Sequence, residues 1–393
     1  PGVYRSRVEN DDDWLDKPII AWALGYGGES KFRVGGITHH VAWVGLGCSR
    51  TLSEINSAFE KICRATLQMF GDAPFREYWF LLHFGPKLYG GLEHRDSQLS
   101  QFDGSTLHES PDWNRFIKLI AHEYFHAWNV KSIRPLALGP FDYFNENYTH
   151  DIWFSEGLTD YFDDEIPLKA GLFSEEDLHK ARLRDVSLFP DGHPGHFRRS
   201  LAESSFDAWI RYYRPDEDSV NTDVSYYGKG AVLGWCWDAH LRKKSKGKWT
   251  LAKLMREFYR EFGIDAYESL KGAKPGFTRS ELLTFAEEKT GIAQKRLVDS
   301  WVVSRKPLPW REAARFFRIN WKESVTSPAL HFLGMQLKWE GKATVSGVLA
   351  NGAAETAGIA PFDELIAING FRVSESEKFK ISIKNAKIGR AHV

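Results

Sequence analysis

His122-Glu123-Tyr124-Phe125-His126 sets two imidazoles four residues apart, with a carboxylate beside the first. On a helix, residues four apart project from one face a turn above each other, so both rings can reach a single ion. Zinc takes nitrogen ligands at about 2.0–2.1 Å in a tetrahedral shell, and two histidines fill half of it. Catalysis needs a third protein ligand and an open position for water. Glu123 is placed to take a proton from that water. The block Trp153-Phe154-Ser155-Glu156-Gly157-Leu158-Thr159-Asp160 follows, with Thr149 or Asp151 as a capping candidate. This puts Glu156 in a second helix and makes it the expected third ligand of one zinc per chain. Asp160, one turn further on, is expected to accept the other N–H of His122, the usual partner of a ligating histidine. An acidic pair like this is otherwise a solvated helix face. Its position between Trp153 and Tyr161-Phe162 argues against that.

The elements that must hold these residues are legible from periodicity. Residues 1–50 read as extended, with Ile37–Val44 β-prone and partly alternating. Thr51 and Glu54 form a capping box for a helix with Leu52, Ile55, Phe59 and Ile62 at helical spacing up to Gly71. Residues 78–84 are an aromatic and apolar run of strand length that stops at Gly85-Pro86. Asp112 is a cap candidate for a helix whose Trp113, Phe116, Ile117 and Ile120 share a face leading into the histidines. Further helices are expected over 151–165, 175–187, 228–243, 250–262 and 279–290. A strand-rich first third and a helix-rich middle imply a two-lobed α+β domain with a cleft between the lobes. Past Trp321, short strands near Phe332–Trp339 and Thr344–Leu349 begin a separate small unit.

Composition excludes several other classes. The 52 basic residues balance 52 acidic ones, which argues against broad electrostatic binding of nucleic acid or anionic membrane. No stretch approaches 18 uninterrupted apolar residues, so no membrane span is expected. Cys48, Cys63 and Cys236 fit no zinc-ribbon or redox spacing and read as small buried hydrophobes. His39, His40, His83, His193 and His196 read as core or surface residues rather than ligands of a second site. The chain begins at Pro1, so any signal peptide would lie upstream. Ile388-Gly389-Arg390-Ala391-His392-Val393 reads as the translation of a common sequencing adapter, and residues 388–393 are expected to be a non-natural tail.

His122 through Pro135, His-Glu-Tyr-Phe-His-Ala-Trp-Asn-Val-Lys-Ser-Ile-Arg-Pro, closely resembles the signature of the glycyl aminopeptidase family of gluzincins, bacterial metallopeptidases that carry a PDZ domain. Four further blocks agree in order: Gly90-Gly91-Leu92-Glu93-His94, Phe141-Asp142-Tyr143, Trp153 through Tyr161, and Tyr226-Tyr227-Gly228-Lys229-Gly230. The resemblance implies a thermolysin-like fold and zinc-dependent release of small N-terminal residues, Gly or Ala. It gives Glu93, on a strand with Gly90 and Gly91, the grip on the substrate's free α-amino group. It gives Tyr227 the stabilisation of the oxyanion. Residues 1–45 would then hold the tail of an N-terminal β domain and the start of the catalytic β lobe. Residues 46–322 would be the catalytic domain, and 325–387 a partial PDZ domain able to take a C-terminal peptide near Leu333-Gly334-Met335. An endopeptidase and an inactive peptide-binding scaffold remain as alternatives. Glu93 discriminates the first, and the complete His122, Glu123, His126, Glu156 set argues against the second.

Overall fold

A computed structural model of the chain describes residues 14–23, 25–139, 142–188, 193–263, 276–321, 333–368, 370–373 and 379. Phe141, Phe332 and the 388–393 tail lie outside them.

The first lobe is a five-stranded mixed sheet. β1 (Gly27–Val34) and β2 (Ile37–Gly45) form an antiparallel hairpin. Helix α1 (Leu52–Phe70) then crosses over, and β3 (Glu77–Phe84) returns parallel to β2, because a parallel neighbour requires a crossover of this length. β5 (Ser97–Phe102) pairs parallel with β3, and β4 (Tyr89–Glu93) lies antiparallel to β5 at the sheet edge. The Thr51–Glu54 capping box forms in full, and Gly71 ends α1 in the left-handed conformation. Phe59 of α1 meets Phe80 of β3 and Phe116 of the next helix at ring centroid distances of 4.7 and 5.9 Å.

That next helix, α2 (Ser110–Phe125), carries the two histidines and packs on β4 and β5. Its cap position is Glu109 with Pro111 in the first turn, so Asp112 lies inside the first turn instead of capping it. The second lobe is helical. A single wide turn, Trp153–Gly157, runs into α3 (Leu158–Lys169). After it come α4 (Glu175–Leu188), α5 (Tyr226–Ser245), α6 (Leu251–Phe262) and α7 (Arg279–Thr290). No side chain caps the wide turn: Thr149 instead accepts from Asp151 N, and Asp151 from the Trp153 indole. Cys48, Cys63 and Cys236 are free thiols, the last two buried. No described helix is long and apolar enough to cross a membrane.

After these elements, β6 (Met335–Trp339), β7 (Ala343–Val348) and a short helix at Ala353–Thr356 enclose their own apolar cluster of Met335, Val345, Val348, Ala354 and Phe379. The unit rests against the helical lobe through Asn221. Its side chain donates to Val348 O and accepts from Ala350 N, both at 2.8 Å.

Candidate metal centre

His122 and His126 lie on the last turn of α2 and its cap, and their Nε2 atoms meet one oxygen of Glu156 at 3.3 and 3.2 Å. Ligands about 2.1 Å from a tetrahedral ion stand about 3.4 Å apart, so these separations suit one zinc. The tautomers suit it too. His126 Nδ1 stands 2.8 Å from the Asn129 carbonyl, which can only accept, so that nitrogen carries the proton and Nε2 is left with its lone pair. His122 Nδ1 is held in the same way, 2.9 Å from Asp163 Oδ2. The three side chains therefore fit the ion.

The partner of His122 is thus Asp163, not Asp160. Asp160 faces Lys118 instead, with Oδ1 3.0 Å from Nζ. Residues seven apart share a face of an α-helix just as residues four apart do, so Asp163 follows Glu156 on that face. Just before this stretch, Leu158 N bonds to Trp153 O, an i→i+5 closure that carries one residue more than an α turn.

Asn129 lies within the His122–Pro135 signature without an assigned role, yet it holds both halves of the site. Besides orienting His126 through its carbonyl, its side-chain amide donates to Phe154 O at 2.9 Å, Ser155 O at 3.1 Å and Thr159 Oγ1 at 3.1 Å. These contacts fall on the wide turn that presents Glu156. Asp16 was also missed. It ties the far end of β4 to the loop after α2, accepting from Arg95 N at 2.7 Å and pairing with Lys131 Nζ at 2.9 Å.

Glu123 is buried, and its side chain lies against the backbone of β4. A Cβ on Gly91 would sit 2.2 Å from Glu123 Oε1. Only glycine permits that approach. One carboxylate oxygen of Glu93, one of Glu123 and a ring nitrogen of His126 all lie within 4.8 Å of one another. Among the described residues, every such group of potential metal ligands falls at this centre. His39 is occupied elsewhere, its Nε2 2.9 Å from the Tyr124 hydroxyl in the core.

Tyr227 arrives from the first turn of α5, where Ser225 Oγ accepts from the N–H groups of Tyr227 and Gly228. Its ring lies 6.2 Å from that of His122, between centroids. Close helix contact makes this possible. A Cβ on Gly230 would sit 2.7 Å from the Gly157 Cα, so two glycines let α5 meet the Glu156 turn backbone to backbone.

The charges follow from burial and neighbours. Burial pushes the Glu123 carboxyl up to about 7, against the pull of His122 and His126. Glu156 is partly buried, which acts to raise it, but the two histidines overcome that and hold it below the usual carboxylate range. Burial acts to lower His122, yet its bonds to Asp163 and Glu156 raise it well above 6.5 in the metal-free protein.

Residues 115–233 match the family described as M61 glycyl aminopeptidase. A solved structure of an aminopeptidase N family protein from Idiomarina loihiensis superposes with a TM-score of 0.80 at 27% identity, covering 92% of this chain and 63% of that one. Over residues 115–233 the chain is similar to the glycyl aminopeptidase family. The chain spans 63% of the length of the Idiomarina protein. An M1 zinc metallopeptidase from Deinococcus radiodurans is a more remote likeness. It is 15% identical over 73% of this chain and 54% of its own, with a TM-score of 0.48. No curated protein matches the chain.

Proposed function

We propose that the chain is an aminopeptidase that removes small N-terminal residues, Gly or Ala, from peptides with a free amino terminus. One observation carries the reading: Glu93 is a second carboxylate beside the base and within reach of His126, outside the metal-ligand set. Such a carboxylate pairs with a substrate ammonium and limits how far a peptide can enter. The preference for small residues rests on the family description. His122, His126 and Glu156 would hold the zinc, which would supply Lewis acidity toward the scissile carbonyl and the attacking water.

The chain's own residues do the rest. Glu123, with its carboxyl near 7, removes a proton from the attacking water and returns it to the leaving amine. The Tyr227 hydroxyl donates to the oxygen that becomes negative, and burial keeps that hydroxyl protonated. Asp163 and the Asn129 carbonyl keep both imidazoles turned toward the ion. Residues 325–387 belong to the same proposal as a partial PDZ unit. Supporting it are their separate apolar cluster and Gly334, whose positive φ of 70° turns the chain just before β6.

Hydrolysis of Gly-, Ala- and Leu-p-nitroanilide beside N-acetyl-Ala-p-nitroanilide tests the reading, with and without a zinc chelator. Chelator-sensitive cleavage of only the free-amine Gly and Ala substrates is expected. Cleavage of the acetylated substrate would replace the aminopeptidase with an endopeptidase.

A further inference from the structure

Lys118 lies on α2 one turn before His122, with its side chain largely buried. Its Nζ stands 3.0 Å from Asp160 Oδ1, 2.7 Å from Asp163 Oδ1 and 3.2 Å from Asp164 Oδ2. The three acids come from α3 at positions i, i+3 and i+4, so they form one face directed at a single point on α2. Arg182, from α4, reaches Asp164 at 3.5 Å and Glu165 at 3.2 Å. Asp163 is the member with a second task, since its other oxygen holds His122 Nδ1.

We infer that Lys118 is a positioning residue for the metal centre, fixing Asp163 on His122 and the register of α2 against α3. The inference rests on the zinc-site reading above. The geometry gives two reasons. A carboxylate has two oxygens, and the Lys118 ammonium lies against one as an ion pair at 2.7 Å while His122 bonds the other. Asp163 is thus held by charge on one side and by a hydrogen bond on the other. The zinc ligands also come from two elements, with the histidines on α2 and Glu156 on the turn that opens α3. A single ammonium bonded across that junction fixes their separation. Without it, Asp160 and Asp163 would face each other as like charges, and Asp163 would swing away from Nδ1. The loss of a group that orients a ligating histidine weakens metal binding about 10–100-fold.

The test is a zinc titration of the metal-stripped full chain against a competing chromophoric chelator, with the metal-free melting curve recorded for each variant. Lys118→Met is expected to weaken zinc binding about 10–100-fold, and Lys118→Arg to restore most of it. Should Lys118→Met be recovered unfolded, Lys118→Gln takes its place, keeping hydrogen-bond donors without the charge. The pair of Lys118→Met and Asp163→Asn separates positioning from general packing. If Lys118 acts through Asp163, the double variant binds zinc no more weakly than Asp163→Asn alone. Independent effects would multiply. Folded Lys118→Met that binds zinc within about twofold of wild type overturns the inference, as does a multiplicative double variant. Wild-type chain that binds no zinc would instead overturn the metal-site reading itself.

Discussion

The contact between Gly91 and Glu123 makes a one-atom test of the general base. Alanine at 91 would place its Cβ 2.2 Å from Oε1, 2.5 Å from Cδ and 2.6 Å from Cγ of Glu123. Carbon and oxygen atoms rest at about 3.5 Å, so the carboxylate or the strand must retreat by about 1 Å. A displacement of that size at a reacting group costs about a hundredfold in rate. Gly91 is exposed on an edge strand and its φ is not positive, so the fold should tolerate the methyl group. The expected result for Gly91→Ala is a kcat on Ala-p-nitroanilide about a hundredfold lower, with melting temperature and zinc content unchanged. Gly90→Ala is the matched control. Its φ of 149° is strained for any residue with a Cβ, but the added methyl would have open space. That variant should lose melting temperature while keeping more of its kcat. A Gly91→Ala enzyme with kcat within about threefold of wild type, and with zinc bound, would refute the placing of Glu123 as the base.

Three further outcomes follow from the same geometry. Tyr227→Phe should lower kcat about a hundredfold to a thousandfold while zinc affinity and melting temperature stay put, because only the oxyanion donor is removed; an unchanged kcat would remove Tyr227 from the mechanism. Gly230→Ala forces a Cβ to 2.7 Å from the Gly157 backbone, which cannot step aside. Overpacking of this kind costs about 1–3 kcal/mol, read as a lower melting temperature, with kcat falling as Tyr227 moves off His122. In the metal-free protein His122 titrates well above 6.5, so its pairing with Asp163 and Glu156 stabilises fully below that value and is lost as pH rises through the folded one. Zinc must displace the same protons, so the rise in melting temperature on adding zinc should grow between about pH 6 and pH 9. A gap that shrinks with pH would contradict it.

Much of this centre was legible because its signals are local. The histidine pair needs only helical periodicity to share a face, and the Thr51–Glu54 box needs only four residues to start α1. Strand β3 announced itself as a continuous apolar run because it is buried between neighbours on both sides. The Gly90-Gly91 pair stood out as part of a block shared with the family, and nothing in the sequence named Glu123 as the group that packs on Gly91. Asn129 was opaque for the opposite reason: its task is to satisfy carbonyls 25 or more residues away, and a single buried amide has no periodicity. Val130 beside it takes a φ of 111°, which no pattern anticipates for a β-branched residue.

Asp160 and Asp163 show where local reasoning stops. Counting four residues from Glu156 assumes an α-helical turn, and under that assumption Asp160 is the right neighbour for His122. Asp163, seven residues on, shares the same face, and it is Asp163 that meets His122 Nδ1 while Asp160 meets Lys118. The turn at Trp153–Gly157, just before this stretch, is wider than an α turn. A wide turn exposes carbonyls that a regular helix would satisfy, and Asn129 donates to two of them, Phe154 O and Ser155 O. The turn that presents Glu156 is therefore held by an amide on another element. Removing that amide should leave the Trp153–Gly157 turn free to tighten into α-helix, which would carry Glu156 off the two Nε2 atoms. Asn129→Leu, similar in size and without hydrogen-bonding groups, should therefore lose zinc affinity even though no ligand has changed. Zinc binding at wild-type strength in that variant would mean that the wide turn holds itself.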